Sequence, residues 1–147
     1  MATKTVSEPS PIPEAELPIL EDAEALFALD DLVTEYVDVP EWRMRLRLRS
    51  LSGGERDRME AEGLRIREAG GDPLVNFRAR VVAYHARKAD GSRVFKPAQV
   101  EALGRKNAAG LARVFDVATR LSGIGEEEVA KAVDELGKDP SEGSGTT

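Results

Sequence analysis

The sequence predicts a single helix-rich α+β domain in which a β-hairpin near the N-terminus precedes about four to five helices. Three observations predict this fold class. Apolar and polar residues alternate strictly over residues 43–49, which is the period of a half-buried strand. After residue 50, apolar residues recur at helical spacing between residues that start and stop helices. The length of 147 residues suits one domain that buries its own core.

Both ends of the chain have the composition of unstructured segments. Residues 1–19 are acidic and contain four prolines, each of which removes a backbone donor and favours extended conformations. Residues 138–147 are rich in glycine, serine and threonine. We therefore predict a disordered arm at 1–19, an ordered domain at 20–137 and a flexible tail at 138–147.

The first ordered elements are a short helix within residues 20–32 and then a hairpin, because the period changes from helical to alternating. The first strand has three valines on one face: Val33, Val37 and Val39. Pro40 ends this strand. The second strand is expected to point three residues inward: Met44, Leu46 and Leu48. It points four arginines outward, which we call the arginine face: Arg43, Arg45, Arg47 and Arg49.

Two helices are predicted next. Ser52 and Glu55 have the spacing of a capping box, which starts a helix that runs to about residue 69 and exposes most of its surface. Asp72 and Pro73 are typical of a helix start, and the broad apolar surface over residues 73–88 predicts a central, buried helix.

The remaining elements are shorter. Asp90 and Gly91 form a turn before a brief extended piece at 93–95, and a short helix spans 97–104. Asn107 caps a longer helix that Gly123 stops, and a last helix begins at residues 126–128, where three glutamates favour the helix dipole.

Composition excludes several classes of chemistry. The chain has no cysteine, which rules out disulfides, thiol nucleophiles and cysteine-ligated metals, and a single histidine, His85. We expect His85 to be a structural residue at the helix surface or half-buried, since no second histidine or cysteine can join it in a site. No cofactor, metal or catalytic residue is expected. Without a signal-peptide pattern or long apolar stretch, the chain is expected to be soluble and cytosolic, with no membrane partner.

Charge is divided into blocks. Residues 1–41 contain 11 acids and one base, residues 42–120 contain 18 bases and 9 acids, and residues 121–147 contain 7 acids and 2 bases. Such blocks favour intramolecular contact or head-to-tail association, both of which salt weakens, and they are equally compatible with a solvated surface. The arginine face is open to three interpretations: an exposed strand that resists aggregation, a site for an acidic protein, or a nucleic-acid site. Trp42 is expected to be a core residue at the hairpin end, or an exposed interface anchor.

Four short motifs occur in a distinctive order. V-x-V-P-E-W covers residues 37–42, L-S-G-x-E-R-D covers 51–57, D-G-x-R-V-F covers 90–95, and L-x-R-V-F-D-V-A-x-R-L-S-G covers 111–123. In this order the chain resembles the tail assembly chaperones of long-tailed bacteriophages and related prophages, over about residues 26–136. Many members have glycine after the tryptophan, where this chain has Arg43.

The resemblance implies a non-enzymatic protein that coats the tape-measure protein while the tail tube assembles, acts in the host bacterial cytoplasm and is absent from the mature virion. It also implies a longer form made by a programmed frameshift, for which Gly137-Lys138 is a candidate position. Alternatives are a tail structural or connector protein and a small nucleic-acid-binding regulator that uses the arginine face. Self-association into a homo-oligomer is expected through the charge blocks.

In the chaperone interpretation, apolar side chains on the helical part bind amphipathic helices of the tape-measure protein. The candidates are Phe95, Val114, Phe115 and Leu121. The alternative is that all four belong to the core.

Overall fold

The structure, a computed structural model, describes residues 16–124 and has the predicted class: an antiparallel hairpin and a set of helices. The elements are α1 (Ala23–Phe27), β1 (Thr34–Val39), a 3-10 turn (Pro40–Trp42), β2 (Met44–Arg49), α2 (Gly53–Glu68), α3 (Phe77–His85), a 3-10 turn (Pro97–Gln99), α4 (Val100–Gly104) and α5 (Ala108–Leu121). The predictions for residues 1–15, the last helix from 126, the tail and Gly137-Lys138 lie outside the described residues.

The core lies around α3 and α5, which pack against each other, and α5 also packs on the hairpin. Every residue from 79 to 85 is buried, as the broad apolar surface predicted. Leu48 of β2 and Val114 of α5 are fully buried with it, and the rings of Phe77 and Phe115 meet edge to face at 6.0 Å between centroids. α5 therefore covers one face of the hairpin, and α3 packs against α5.

The hairpin follows the predicted alternation except near its turn. Thr34 pairs with Arg49 at the open end, and Val39 pairs with Met44 at the turn end. Arg43 is not part of the strand: it ends the 3-10 turn in the left-handed region, at φ 54° and ψ 40°.

The inward position predicted for Met44 is wrong. Its cross-strand neighbour Val39 packs against Gly110 of α5 and is 1% exposed, whereas Met44 lines an open surface depression and is 68% exposed.

The helix predicted over 73–88 is wrong at both ends. Asn76 has a left-handed backbone (φ 62°), so residues 73–76 form a turn, and the Asp72 carboxylate accepts the Leu74 N–H at 2.9 Å within that turn. At the other end the chain becomes extended after residue 85, and Ala86 forms a β-bridge with Leu48. Tertiary pairing with the hairpin therefore ends the helix earlier than the sequence pattern predicts.

The local helix signals are confirmed. Ser52 Oγ accepts the Glu55 N–H at 3.1 Å, and the Glu55 carboxylate accepts the Ser52 N–H at 2.9 Å, which completes the capping box. Asn107 caps α5 through the Gly110 N–H at 3.0 Å, and Gly123 follows α5 with φ 70°. Within residues 16–124, no helix has the length and apolarity that crossing a bilayer requires.

Candidate partner-binding surface

Two members of the arginine face, Arg45 and Arg47, contact side chains of β1. Arg45 forms an ion pair with its cross-strand partner Asp38, with 2.6 Å between Nε and Oδ1. The guanidinium of Arg47 stacks over the ring of its own cross-strand partner, Tyr36, at 5.5 Å from the ring centroid. Both contacts follow from the register, which sets these side chains opposite each other on one face.

Arg49, at the open end of the hairpin, forms hydrogen bonds with Glu55 of α2. Glu55 accepts hydrogen bonds from Arg49 at 2.7 and 2.6 Å and from the buried Arg87 at 3.2 Å. Burial alone would raise the pKa of Glu55, but the Ser52 N–H and the two guanidinium groups lower that pKa to about 2. Three of the four arginines therefore have partners within the domain. Arg43 is exposed and makes no ion pair to another side chain of residues 16–124.

Trp42 packs on the core at the hairpin end, as one of its two predictions had it, and its role as an interface anchor stays a prediction. Its indole is half-buried and packs on the core, where Gly110 leaves room for it: a Cβ at position 110 would lie 3.0 Å from the indole Nε1. The buried Nε1–H has no hydrogen-bond partner within the described part of the chain. The rest of the ring forms one wall of an open surface depression.

This depression, which we call the groove, has a volume of about 690 Å³ at the turn end of the hairpin. Its lining combines apolar side chains of the hairpin and of the 97–104 region with polar residues at the rim: Glu41, Trp42, Met44, Phe95, Gln99, Ala102, Leu103, Arg105, Lys106 and Asn107. An apolar floor with a charged rim is typical of a site for a helix or a peptide.

The four apolar candidates divide between surface and core. Phe95 is half-buried and lines the groove. Val114 and Phe115 are 0% and 7% exposed and belong to the core, the alternative that the sequence left open. Leu121 is half-buried against the core cluster at the end of α5. Phe95 is thus the candidate among the four that the structure brings together with Trp42.

A second apolar surface lies at residues 16–31, which we call the acidic segment. Every residue in it is exposed, and α1, which forms its middle, buries none of its side chains. The segment contains six acids and no base. Its large apolar residues are all at least 45% exposed: Leu17, Ile19, Leu20, Leu26, Phe27 and Leu29.

Sequence periodicity did not predict this exposure. The spacing of Leu20, Leu26 and Phe27 indicated a helix of the ordered body, and a helical period does not reveal whether another element covers its apolar side. The signal available in the sequence was the charge, since acids without a single base surround these residues.

The prediction that His85 lies at the helix surface or is half-buried is wrong. His85 is completely buried, with Nδ1 2.7 Å from the Val81 carbonyl and Nε2 2.7 Å from Ser122 Oγ. A carbonyl only accepts, so Nδ1 carries the proton and Nε2 accepts from the serine hydroxyl. Burial lowers the pKa of His85. Among residues 16–124, no group of three or more histidine or acidic side chains is arranged to hold a metal ion.

Comparisons of the chain with protein-family models, with curated proteins and with solved structures found no match.

Proposed function

We propose that this protein is a non-enzymatic tail assembly chaperone of a bacteriophage or prophage, which binds the tape-measure protein while the tail tube assembles. The observation that supports it best is the amount of ordered apolar surface on a small domain. Phe27 of α1 and Met44 at the turn end of the hairpin are 71% and 68% exposed. Exposed apolar patches of this kind are typical of proteins that bind other proteins.

The groove is the proposed binding site for the tape-measure protein. An amphipathic helix buries its apolar side on Trp42, Met44 and Phe95, while its acidic residues contact Arg105 and Lys106 at the rim. The arginine face has a smaller part in this mechanism than the sequence suggested, because Asp38, Tyr36 and Glu55 already engage three of its four members.

The test is co-expression with the tape-measure protein of the same phage or prophage. Soluble tape-measure protein that co-purifies with this chain is the expected result. Because the resemblance implies two products, the experiment includes the short form alone and a form extended in the shifted frame after residue 138. If neither form keeps the tape-measure protein in solution, the proposal is wrong.

Direct measurements distinguish two other functions from the chaperone function. A tail structural or connector protein would remain in purified virions, whereas the chaperone acts in the host cytoplasm and is missing from them. A nucleic-acid-binding regulator would retain DNA or RNA in filter binding at physiological salt. We expect neither result. A slippery heptamer at the codons for Gly137-Lys138 would support the longer form.

A further inference from the structure

We propose that the acidic segment of one copy of this chain docks in the groove of a second copy. This inference extends the self-association expected above by naming both surfaces, and its test contains no tape-measure protein. The segment and the tape-measure protein use the same groove and therefore compete for it, so the docked array is the state of the protein before the tape-measure protein binds. Failure of this docking leaves the proposed function standing.

The acidic segment has the character of a ligand rather than of a core element. Ile19 and Phe27 are 83% and 71% exposed, although burying such side chains lowers the free energy. A segment that is ordered yet buries none of its α1 side chains gains this energy when an apolar surface covers it.

The groove is complementary to the acidic segment in both polarity and charge. Its apolar walls include Trp42, Met44 and Phe95, and its rim includes Arg105 and Lys106. Arg43 lines an adjoining recess that shares Met44 with the groove.

The acids near the groove already have partners. Glu41 accepts hydrogen bonds from Arg113 at 3.0 and 2.8 Å, and these bonds lower its pKa to about 2. Glu101 contacts Arg105 at 3.8 Å. Against this rim, the six acids of the segment meet attraction rather than repulsion.

The acidic segment and the groove are two different surfaces, so docking between copies gives a head-to-tail arrangement. The acidic segment enters the hairpin at its open end, where Thr34 pairs with Arg49, and the groove lies at the turn end, beside Met44. A strand of six residues separates these ends by about 16 Å. Docking between copies therefore joins two different surfaces, and such a heterologous contact forms rings or open arrays rather than a closed two-fold dimer.

The test uses two full-length variants with complementary defects. Phe27→Ser damages the segment and leaves the groove intact, whereas Met44→Glu damages the groove and leaves the segment intact. Both side chains are exposed, so both variants keep the fold, which circular dichroism verifies. Leu64→Glu is the matched control, because it replaces an apolar residue that is 51% exposed on α2 and does not line the groove.

Sedimentation velocity gives the readout. We expect the wild type and Leu64→Glu to form species larger than two copies, and each of the other variants alone to associate about ten- to a hundredfold more weakly. A mixture of Phe27→Ser and Met44→Glu restores one productive interface per pair, so it gives a heterodimer that grows no further. A labelled peptide of residues 16–31 binds Phe27→Ser and does not bind Met44→Glu.

Three results would overturn the inference. They are a wild type that sediments as a monomer at all concentrations, two variants that assemble as the wild type does, and a mixture that contains only monomers while the peptide fails to bind.

Discussion

Gly110 of α5 lies directly against the indole of Trp42. A Cβ at position 110 would be 3.0 Å from the indole Nε1, 3.1 Å from Cε2 and 3.2 Å from a methyl group of Val39. These distances are shorter than ordinary van der Waals contacts, so the absence of a side chain at 110 sets the position of the tryptophan. The same tryptophan forms one wall of the groove, and the helix thereby determines the shape of the proposed binding site.

Gly110→Ala is expected to push the indole outward. Alanine favours an α-helix over glycine by about 1 kcal/mol, and the displaced ring offsets that gain, so the free energy of unfolding does not rise. Because Trp42 is the only tryptophan, its fluorescence emission reports the movement as a red shift. The control is Ala109→Gly at an exposed position of α5, which lowers stability by about 0.5–1 kcal/mol and leaves the emission unchanged. A Gly110→Ala protein with unchanged emission and higher stability would contradict the close packing of Trp42 against Gly110.

Ser122→Ala is expected to destabilise the domain by about 1–3 kcal/mol in urea denaturation. The Ser122 hydroxyl donates to Nε2 of the buried His85 and accepts the Leu51 N–H at 3.1 Å, so its removal leaves two polar groups without partners. Thr119→Ala is the control, since that hydroxyl bonds to the nearby Asp116 carbonyl at the surface of the same helix. We expect the free energy of unfolding of the control to stay within about 0.5 kcal/mol of the wild-type value. Equal losses in the two variants would show that the buried hydrogen bonds of Ser122 do not contribute to stability.

Stability is expected to fall as the pH decreases through about 6.5. Burial lowers the pKa of His85 from its usual value of 6.5, so the unfolded chain binds a proton in a range where the folded protein does not. The free energy of unfolding therefore decreases toward lower pH, by at most about 1.4 kcal/mol per pH unit.

His85 is the only histidine, and the lowered pKa of Glu55, about 2, affects stability only below its usual value of 4.5. Urea denaturation at several values between about pH 5 and 7.5 isolates the histidine effect. The His85→Gln variant should show no such slope, and a slope that persists in the variant would assign it to another group.

Arg43→Gly is expected to raise stability by about 0.5–1 kcal/mol in urea denaturation. Arg43 has a left-handed backbone, which costs an L-residue about 1–2 kcal/mol, and glycine adopts this region without that cost. Part of the gain is lost because glycine makes the unfolded chain more flexible. Arg45→Gly, two residues away in β2, should instead destabilise, since it loses the Asp38 ion pair and weakens a strand. A destabilised Arg43→Gly protein would show that the arginine side chain has a structural role of its own.

Features that depend on neighbouring residues in the sequence were predictable, and those that depend on distant contacts were not. The Ser52–Glu55 capping box and the Asn107 cap are local patterns, and both helices begin where the patterns indicate. The start of α3 was not predictable, because the left-handed conformation of Asn76 follows no local rule.

The candidate site was predictable only in part, for the same reason. Trp42 and Phe95 are 53 positions apart in the sequence, and no pattern revealed that they share a groove. The alternating pattern predicted that the arginines lie on the hairpin surface. It did not predict the cross-strand register, which places Asp38 opposite Arg45 and allows their ion pair. Residues 16–31 are exposed because no other element of the described residues covers them. The sequence alone does not reveal this.

The most direct test of the central claim is co-expression of the tape-measure protein with matched surface variants of this chain. The account predicts that the wild type and Leu64→Glu keep the tape-measure protein soluble and co-purify with it, whereas Met44→Glu, which puts a charge in the groove, remains folded and loses the complex. Equal recovery of tape-measure protein with all three chains would contradict binding in the groove. Insoluble tape-measure protein with every chain, including the extended form, would contradict the chaperone function itself.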